Sequence, residues 1–140
     1  MVKARLETAV QREIVSVIRQ TVYPCTVFAV PNATASLTAQ TQAKLKREGR
    51  VPGIPDLCIV WPGGSGWIEV KRPGYTASAV SAAQREMHAL WRGWGVNVGI
   101  ATTHDEAIAL LRGWSAPVRQ RDTRPATPAS ITECFAGLGE

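Results

Sequence analysis

Residues 52–71, PGIPDLCIVWPGGSGWIEVK, constrain the fold more than any other part of the chain. The apolar run Leu57 to Trp61 lies between two prolines, as a short buried strand does. The glycine-rich residues 62–66 predict a turn. Residues 67–71 then alternate apolar and charged side chains, which predicts a second strand. The stretch therefore predicts a hairpin that carries acidic and basic groups.

The charged groups of this hairpin gather at one end of it. Glu69 and Lys71 share one face of the predicted second strand, and Ile68 and Val70 share the other. Asp56 precedes the first strand, so pairing of the strands brings its carboxylate near Glu69 and Lys71. Two carboxylates suit a hard cation such as Mg²⁺ or Mn²⁺. The spacing alone also allows Glu69 and Lys71 to be a solvated strand face and Asp56 a turn residue.

A family resemblance favours the metal site. The sequence G-I-P-D, followed by E-x-K at the end of an apolar strand, resembles the PD-(D/E)xK nuclease core. More narrowly, the chain resembles a stand-alone VRR-NUC domain. The residues that carry the resemblance occur in order along the chain: Glu7 and Gln11, FAVPN at 28–32, KREGRVPGIPD at 46–56, IEVK at 68–71 and SAAQ at 81–84.

The resemblance implies an α/β fold of the restriction-endonuclease type. It also implies a divalent-metal-dependent endodeoxyribonuclease that selects DNA by structure, with the four-way junction as a candidate substrate. The cofactor would be Mg²⁺ or Mn²⁺, held by Asp56, Glu69 and the carbonyl oxygen of Val70. Lys71 would act on the attacking water or on the charge of the phosphate. The catalytic residues that the resemblance implies are Asp56, Glu69, Lys71, Gln84, Glu7 and Gln11.

Residues 3–20 predict an amphipathic helix. Its apolar stripe consists of Leu6, Val10, Ile14 and Val17. Glu7 and Gln11 are four residues apart and therefore lie together on one flank of that stripe. By resemblance they face the metal site. Glu13 is an alternative for the acidic role, and a solvated glutamate on a helix flank is the simpler interpretation of either residue.

The rest of the sequence predicts a mixed central sheet flanked by helices, an α/β domain. Ser81 is expected to cap a helix that contains Gln84 in its first turn. Met87, Trp91 and Trp94 follow the period of that helix and are predicted to be core residues. The elements predicted outside the hairpin and the first helix are strands at 25–30 and 96–101 and helices at 37–48, 82–94 and 104–114.

The charge balance favours a polyanionic partner. Sixteen Lys and Arg residues outnumber eleven Asp and Glu residues, which gives a formal net charge of +5. Basic side chains that contact phosphates bind DNA in a salt-dependent way, although a basic surface without a partner is also common. The candidate nucleic-acid contacts are Lys44, Lys46, Arg47, Arg50, Arg72 and Tyr75.

The length of 140 residues is that of one domain, and the composition is 45% hydrophobic, as in a globular protein. We expect a nuclease domain at residues 1–114 and a disordered basic tail at 115–140.

No apolar run is long enough to cross a membrane, and no secretory leader is recognised, so an intracellular protein is expected. A small stand-alone copy is, by family analogy, typical of a bacterial phage or a mobile element. The three cysteines have no metal-ligand spacing and are interpreted as inert.

Two other classes of function stay open at this stage. One is a non-catalytic nucleic-acid-binding module that retains the nuclease fold, and the other is an interaction protein with a vestigial site. Within the nuclease interpretation, a two-fold dimer is expected, because symmetric cutting of a four-way junction needs two active sites. Trp61 and Trp67, at the ends of the predicted hairpin turn, are candidate interface residues, unless both pack under neighbouring helices.

Overall fold

The computed structural model describes residues 2–32 and 36–120. Within them the chain forms four α-helices, four strands and one short 3₁₀ helix at Ala77–Ala79. In chain order the main elements are α1 Val2–Thr21, β1 Thr26–Ala29, α2 Ala39–Arg47, β2 Leu57–Trp61, β3 Gly64–Val70, α3 Ala82–Gly93, β4 Val98–Ala101 and α4 His104–Gly113.

The four strands form one mixed sheet in the order β1-β2-β3-β4. β1 and β2 are antiparallel, as are β2 and β3, whereas β3 and β4 are parallel and joined by the crossover helix α3. The predicted α/β architecture with a mixed sheet is therefore confirmed. Leu57 pairs with Ile68 in the hairpin, which sets Asp56 beside the end of β3 where Glu69 and Lys71 lie.

One face of the sheet packs on α1 and α4. This face contributes the alternating apolar residues of the strands, and α1 contributes Ile14 and Ile18, both fully buried. Gly66 makes room for the ring of Trp114, since a Cβ at Gly66 would lie 2.5 Å from that ring. The apolar core on this face of the sheet therefore fixes the position of the β2–β3 hairpin.

The opposite face of the sheet carries Glu69 and Lys71 and packs on α3. Trp67 meets Trp91 of α3 edge to face, with ring centroids 5.1 Å apart. Ser81 caps α3, and its side chain accepts a hydrogen bond from the backbone N–H of Gln84. This capping fixes the start of α3 above the charged end of β3.

The hairpin differs from the prediction in its turn. Residues 62–66 were expected to form the turn, but β3 begins at Gly64, and Gly64, Ser65 and Gly66 pair with β2. Only Pro62 and Gly63 connect the strands, and Gly63 has a positive φ of 87°. Gly64 and Gly66 lie within the strand, and a tryptophan ring packs on each of them. Glycine is present at these two positions because the rings leave no room for a side chain, and not because the chain turns there.

Several predicted core residues lie elsewhere. Leu6, in the predicted apolar stripe of α1, is 51% exposed, whereas Ile14 and Ile18 of the same helix are fully buried in the core. Trp94, predicted to be in the core, is the C-cap of α3 and is 67% exposed. Trp61 is buried in the main core and Trp67 lies under α3, so the packed alternative holds for both tryptophans and the interface prediction for them was wrong.

The ordered chain continues beyond α4. Val118 forms an isolated antiparallel bridge with Val22, and the backbone N–H of Arg119 donates to the carbonyl oxygen of Thr21. The guanidinium of Arg119 also lies 4.3 Å from the ring centroid of Tyr23. The first residues of the predicted tail thus pack against the end of α1, and the tail from residue 121 onward lies outside the described residues. Among the helices described, none is long and apolar enough to span a bilayer.

Candidate active site

Asp56 is fixed where β1, β2 and β3 come together. Its carbonyl oxygen accepts a hydrogen bond of 2.8 Å from the backbone N–H of Val30, at the end of β1. Its Oδ2 atom accepts another of 2.8 Å from the backbone N–H of Val70. The Asp56 carboxylate is therefore oriented across the end of the hairpin, next to the residues on either side of Val70.

Glu69, Lys71 and Gln84 form a closed triangle of hydrogen bonds beside Asp56. Lys71 Nζ lies 3.0 Å from Glu69 Oε1, and Gln84 Nε2 donates to the same oxygen at 2.6 Å. Lys71 Nζ also reaches Gln84 Oε1 at 3.4 Å. Glu69 and Lys71 are only 2% and 7% exposed, so this is a buried ion pair and not a solvated strand face.

Gln84 connects the triangle to the helix that covers it. Its Oε1 atom accepts a hydrogen bond from the backbone N–H of Ser81 at 3.0 Å, which completes a capping box at the start of α3. The same side chain therefore stabilises the helix end and orients both Glu69 and Lys71. The Ser-x-x-Gln spacing of a capping box is visible in the sequence, whereas the contact with Glu69 is not.

The pKa of Glu69 is raised by its surroundings. Burial, and then the negative charge of Asp56, raise the pKa of Glu69 to about 7, although hydrogen bonds and charge from Lys71 and the Gln84 amide act in the opposite direction. Glu69 Oε2 is buried and has no hydrogen-bond partner in the described part of the chain. A buried oxygen without a partner is costly unless a ligand satisfies it.

The donor set fits a hard divalent cation. Asp56 and Glu69 supply carboxylate oxygens, and the carbonyl of Val70, between Glu69 and Lys71 in the strand, is a further oxygen in the predicted set. No group of three or more His, Cys, Asp or Glu side chains able to hold a metal occurs among residues 2–32 and 36–120. Two carboxylates with carbonyl and water oxygens are the ligands that Mg²⁺ usually takes.

The α1 residues of the predicted site are less closely engaged. Glu7 and Gln11 lie half buried on the same stripe of α1 as Ile14 and Ile18, and no hydrogen bond joins either of them to Asp56 or Glu69 in the described structure. Glu13, the alternative carboxylate, is 2.9 Å from His104 Nδ1 at the start of α4. The roles of Glu7 and Gln11 in the site stay predictions.

The predicted basic contacts divide into two groups. Lys46 and Arg50 line a cleft of about 590 Å³ that opens between α2, the loop at 50–56 and the start of α3, and that reaches Asp56 and Gln84. The others lie outside that cleft: Lys44 pairs with Glu48 at 3.7 Å, Arg47 is exposed on α2, and Arg72 and Tyr75 are half buried in the turn after β3.

Two further residues near the site are not among the site residues predicted from the sequence. Asn32 donates from Nδ2 to the carbonyl oxygen of Ile54 at 3.0 Å, which ties the end of β1 to the loop before Asp56. His88, one turn after Gln84 on α3, is 2% exposed, and its Nε2 has no partner in the described residues. Burial, with help from the positive charges of Arg92 and Lys71, lowers the pKa of His88. The i, i+4 spacing from Gln84 was the available signal for its position.

A mixed sheet with a helix crossover, whose hairpin brings Asp, Glu and Lys together, defines a restriction-endonuclease-like nuclease fold. The model of the VRR-NUC domain family matches residues 5–105, and the chain belongs to that family. A solved structure described as a VRR_NUC domain protein has a similar fold, with a TM-score of 0.59 and 23% identity over 76% of this chain and 84% of that one. No curated protein is significantly similar in sequence.

Proposed function

We propose that this member of a nuclease family is a divalent-metal-dependent endodeoxyribonuclease that hydrolyses phosphodiester bonds. The observation that carries the proposal is the convergence of Asp56, Glu69 and Lys71 at one end of the β2–β3 hairpin, with Gln84 bonded to both members of the buried ion pair. A binding module without catalysis has no chemical use for a buried, partly unsatisfied carboxylate beside a second one. The vestigial interaction protein is disfavoured for the same reason.

Each residue has a role in this chemistry. Bound between Asp56 and Glu69, Mg²⁺ or Mn²⁺ would supply a Lewis acid that activates water and neutralises phosphate charge. Lys71 uses two of its three N–H groups on Glu69 and Gln84, and the third can donate to the attacking water or to a phosphate oxygen. Gln84 holds Lys71 and Glu69 in a fixed relation, so that neither side chain has to be ordered when DNA binds.

The substrate that we propose is DNA with a branch, including the four-way junction. The cleft that reaches Asp56 is lined by Lys46 and Arg50, so basic side chains lie beside the site. Arg72 follows Lys71 directly in the chain. Phosphate contacts of this kind position a backbone without reading its sequence. Selection by DNA structure is therefore a better match to this surface than selection by base sequence.

Charge-removing substitutions at the two carboxylates test the proposal. Asp56→Asn and Glu69→Gln should abolish Mg²⁺-dependent nicking of labelled branched DNA. Circular dichroism should show that both variants remain folded at the assay temperature, although the loss of the buried charge pair lowers the stability of Glu69→Gln, and DNA binding without metal should be retained. Asp105→Asn, at a side chain that is 90% exposed, is the matched control and should cut normally. Normal nicking by either site variant would refute the assignment of the site.

A further inference from the structure

The cleft that opens beside the carboxylates extends well past the reacting groups. Its volume is about 590 Å³, which lies within the range of sites that enclose a small ligand. Asp56 and Gln84 line it together with Lys46 and Arg50. Of the lining residues, only Asp56 and Gln84 belong to the reacting site, so the remaining space is available to another part of the substrate.

The walls of the cleft are held in place before any ligand arrives. The loop at 50–56 is tied on one side by the hydrogen bond from Asn32 to Ile54. On the other side it touches the start of α3 so closely that a Cβ on Gly53 would lie 2.4 Å from the carbonyl oxygen of Ala83. Gly53 has a φ of 86°, which an L side chain rarely adopts. Because this wall is already fixed, little conformational entropy is lost when a ligand binds in the cleft.

The lining combines two kinds of surface. Val51, Pro52 and Ile54 on the loop, with Ala43 on α2 and Ala83 on α3, give apolar walls. Val51 is 45% exposed, although it is apolar and lies beside the site. The charged side chains of the lining, apart from Asp56, are both basic. Phosphate alone has no use for apolar walls, whereas a nucleobase packs between apolar side chains while its phosphate meets a cation.

We infer that this cleft binds one unpaired nucleotide of the substrate, next to the phosphodiester that is cut, with the base between Val51, Ile54 and Ala43. Lys46 and Arg50 contact its phosphate. A base inside a duplex is stacked and paired and has to be extruded at a cost, whereas a base at a branch, bulge or flap is already released. The inference rests on the proposed nuclease function and gives it a substrate class: DNA with an unpaired nucleotide at the cut.

Direct nucleotide binding tests the inference without any cleavage. The probes are thymidine 3′,5′-bisphosphate and the matching abasic deoxyribose 3,5-bisphosphate, titrated into the full chain by calorimetry in the absence of divalent metal. We expect the nucleoside bisphosphate to bind roughly 10-fold more tightly, the usual scale of one buried base contact. Equal affinity of the two probes would overturn the inference.

Two variants distinguish the contacts to the base from the contacts to the phosphate. Ala43→Leu fills the cleft from a helix that tolerates leucine, and it should remove the difference between the probes, whereas Ala109→Leu on α4, outside the cleft, should keep it. Lys46→Ala should weaken both probes alike and leave their ratio unchanged. Retention of the full ratio by Ala43→Leu would overturn the placement of the base.

Cleavage then gives an independent comparison. On one sequence, a substrate with a single-nucleotide bulge at the cut should be cleaved with a higher kcat/KM than the continuous duplex. Ala43→Leu should remove this advantage of the bulge, whereas Ala109→Leu should keep it. If no DNA is cut but the probe ratio persists, the nuclease proposal fails and the nucleotide cleft stands. If cleavage is normal but bulge and duplex are cut equally, the cleft inference fails alone.

Discussion

Lys71 illustrates how one buried residue can serve both stability and chemistry. Its ammonium is 7% exposed and is neutralised by Glu69 at 3.0 Å, with Gln84 as a second partner. Removing one member of a buried pair leaves the other charge uncompensated, which typically costs about 3–5 kcal/mol, whereas removing both charges is often neutral. The two contributions of Lys71 can therefore be separated.

We expect Lys71→Met to lower the cleavage rate by roughly 10² or more and to destabilise the fold. Lys71→Arg should restore activity only in part, because a planar guanidinium does not reproduce a compact ammonium. The double variant Lys71→Met/Glu69→Gln should recover most of the stability and none of the activity. Urea unfolding and nicking rates check these expectations, and a double variant as unstable as the single one would contradict the ion-pair explanation.

The pH response of the carboxylate pair follows from its burial. The pKa of Glu69 is raised from its ordinary 4.5 to about 7, first by burial and then by Asp56. A raised folded-state pKa means that this group stabilises the fold fully below about pH 4.5, and that the contribution is lost as the pH rises through about 7. A bound cation reverses the preference, because it favours the ionised form.

In the protein without metal, the ¹³C carboxyl resonance of Glu69 should therefore titrate with a midpoint near 7. Metal binding at pH 6 should release protons, which calorimetry detects as a dependence of the binding heat on the ionisation heat of the buffer. Metal affinity should fall as the pH decreases below about 7. A midpoint near 4.5 without metal would contradict the buried-pair electrostatics.

At the scale of the secondary-structure elements, the glycines of β3 decide how closely α4 approaches the sheet. A Cβ on Gly66 would lie 2.5 Å from the ring of Trp114, whereas a Cβ on Gly93 in α3 would meet nothing within 4 Å. Gly66→Ala should destabilise the fold by about 1–3 kcal/mol through overpacking. Gly93→Ala, the control, should leave stability unchanged or raise it by up to about 1 kcal/mol. Urea unfolding of the two variants distinguishes these effects.

Gly64 and Gly66 of β3 show what the sequence could and could not predict. Strand β2, with its proline boundaries, and the helices with capping residues were predictable, because those signals are local. The start of β3 was not, since a glycine that admits a tryptophan ring from another element reads as a turn residue in sequence. Leu6 and Trp94 follow helical periodicity, but both lie near helix ends and are 51% and 67% exposed. Tertiary packing alone decides such cases.

The residues of the candidate site also differ in how far the sequence predicts their positions. Asp56, Glu69 and Lys71 could be placed together because strand pairing and side-chain alternation fix their relation. Gln84 was placed at the edge of the site by family resemblance, and its contacts with Glu69 and Lys71 depend on how α3 crosses the sheet. The buried His88 and the cleft beside Asp56 arise from the same crossing and from the loop at 50–56. The cleft has no local sequence signature, and the spacing of His88 from Gln84 shows only that the two residues share one face of α3.

At the scale of the whole molecule, one domain presents one pair of carboxylates at the hairpin end. Symmetric resolution of a four-way junction requires two incisions on opposed strands, which a two-fold dimer provides. Of the two tryptophans proposed for the interface, Trp61 is buried and Trp67 is half buried against Trp91, whereas Phe28 and Val60 are 46% and 43% exposed. These two side chains share one face of the paired strands β1 and β2, on the edge side of the sheet.

We therefore predict a two-fold dimer that contacts itself through this face and prefers branched DNA. Light scattering at micromolar concentration should give twice the mass of 15.1 kDa, and Val60→Lys should shift it toward the monomer. Val2→Lys, at an equally apolar side chain that is 73% exposed on α1, is the control and should leave the mass unchanged.

Because a monomer still carries a complete carboxylate pair, the Val60→Lys variant should nick one strand of a junction but should not make the paired incision. If the protein stays monomeric with junction DNA and cuts plain duplex as fast as the junction, the predictions of a dimer and of a branch preference are both wrong. The assignment of the nuclease site would not be affected by that result.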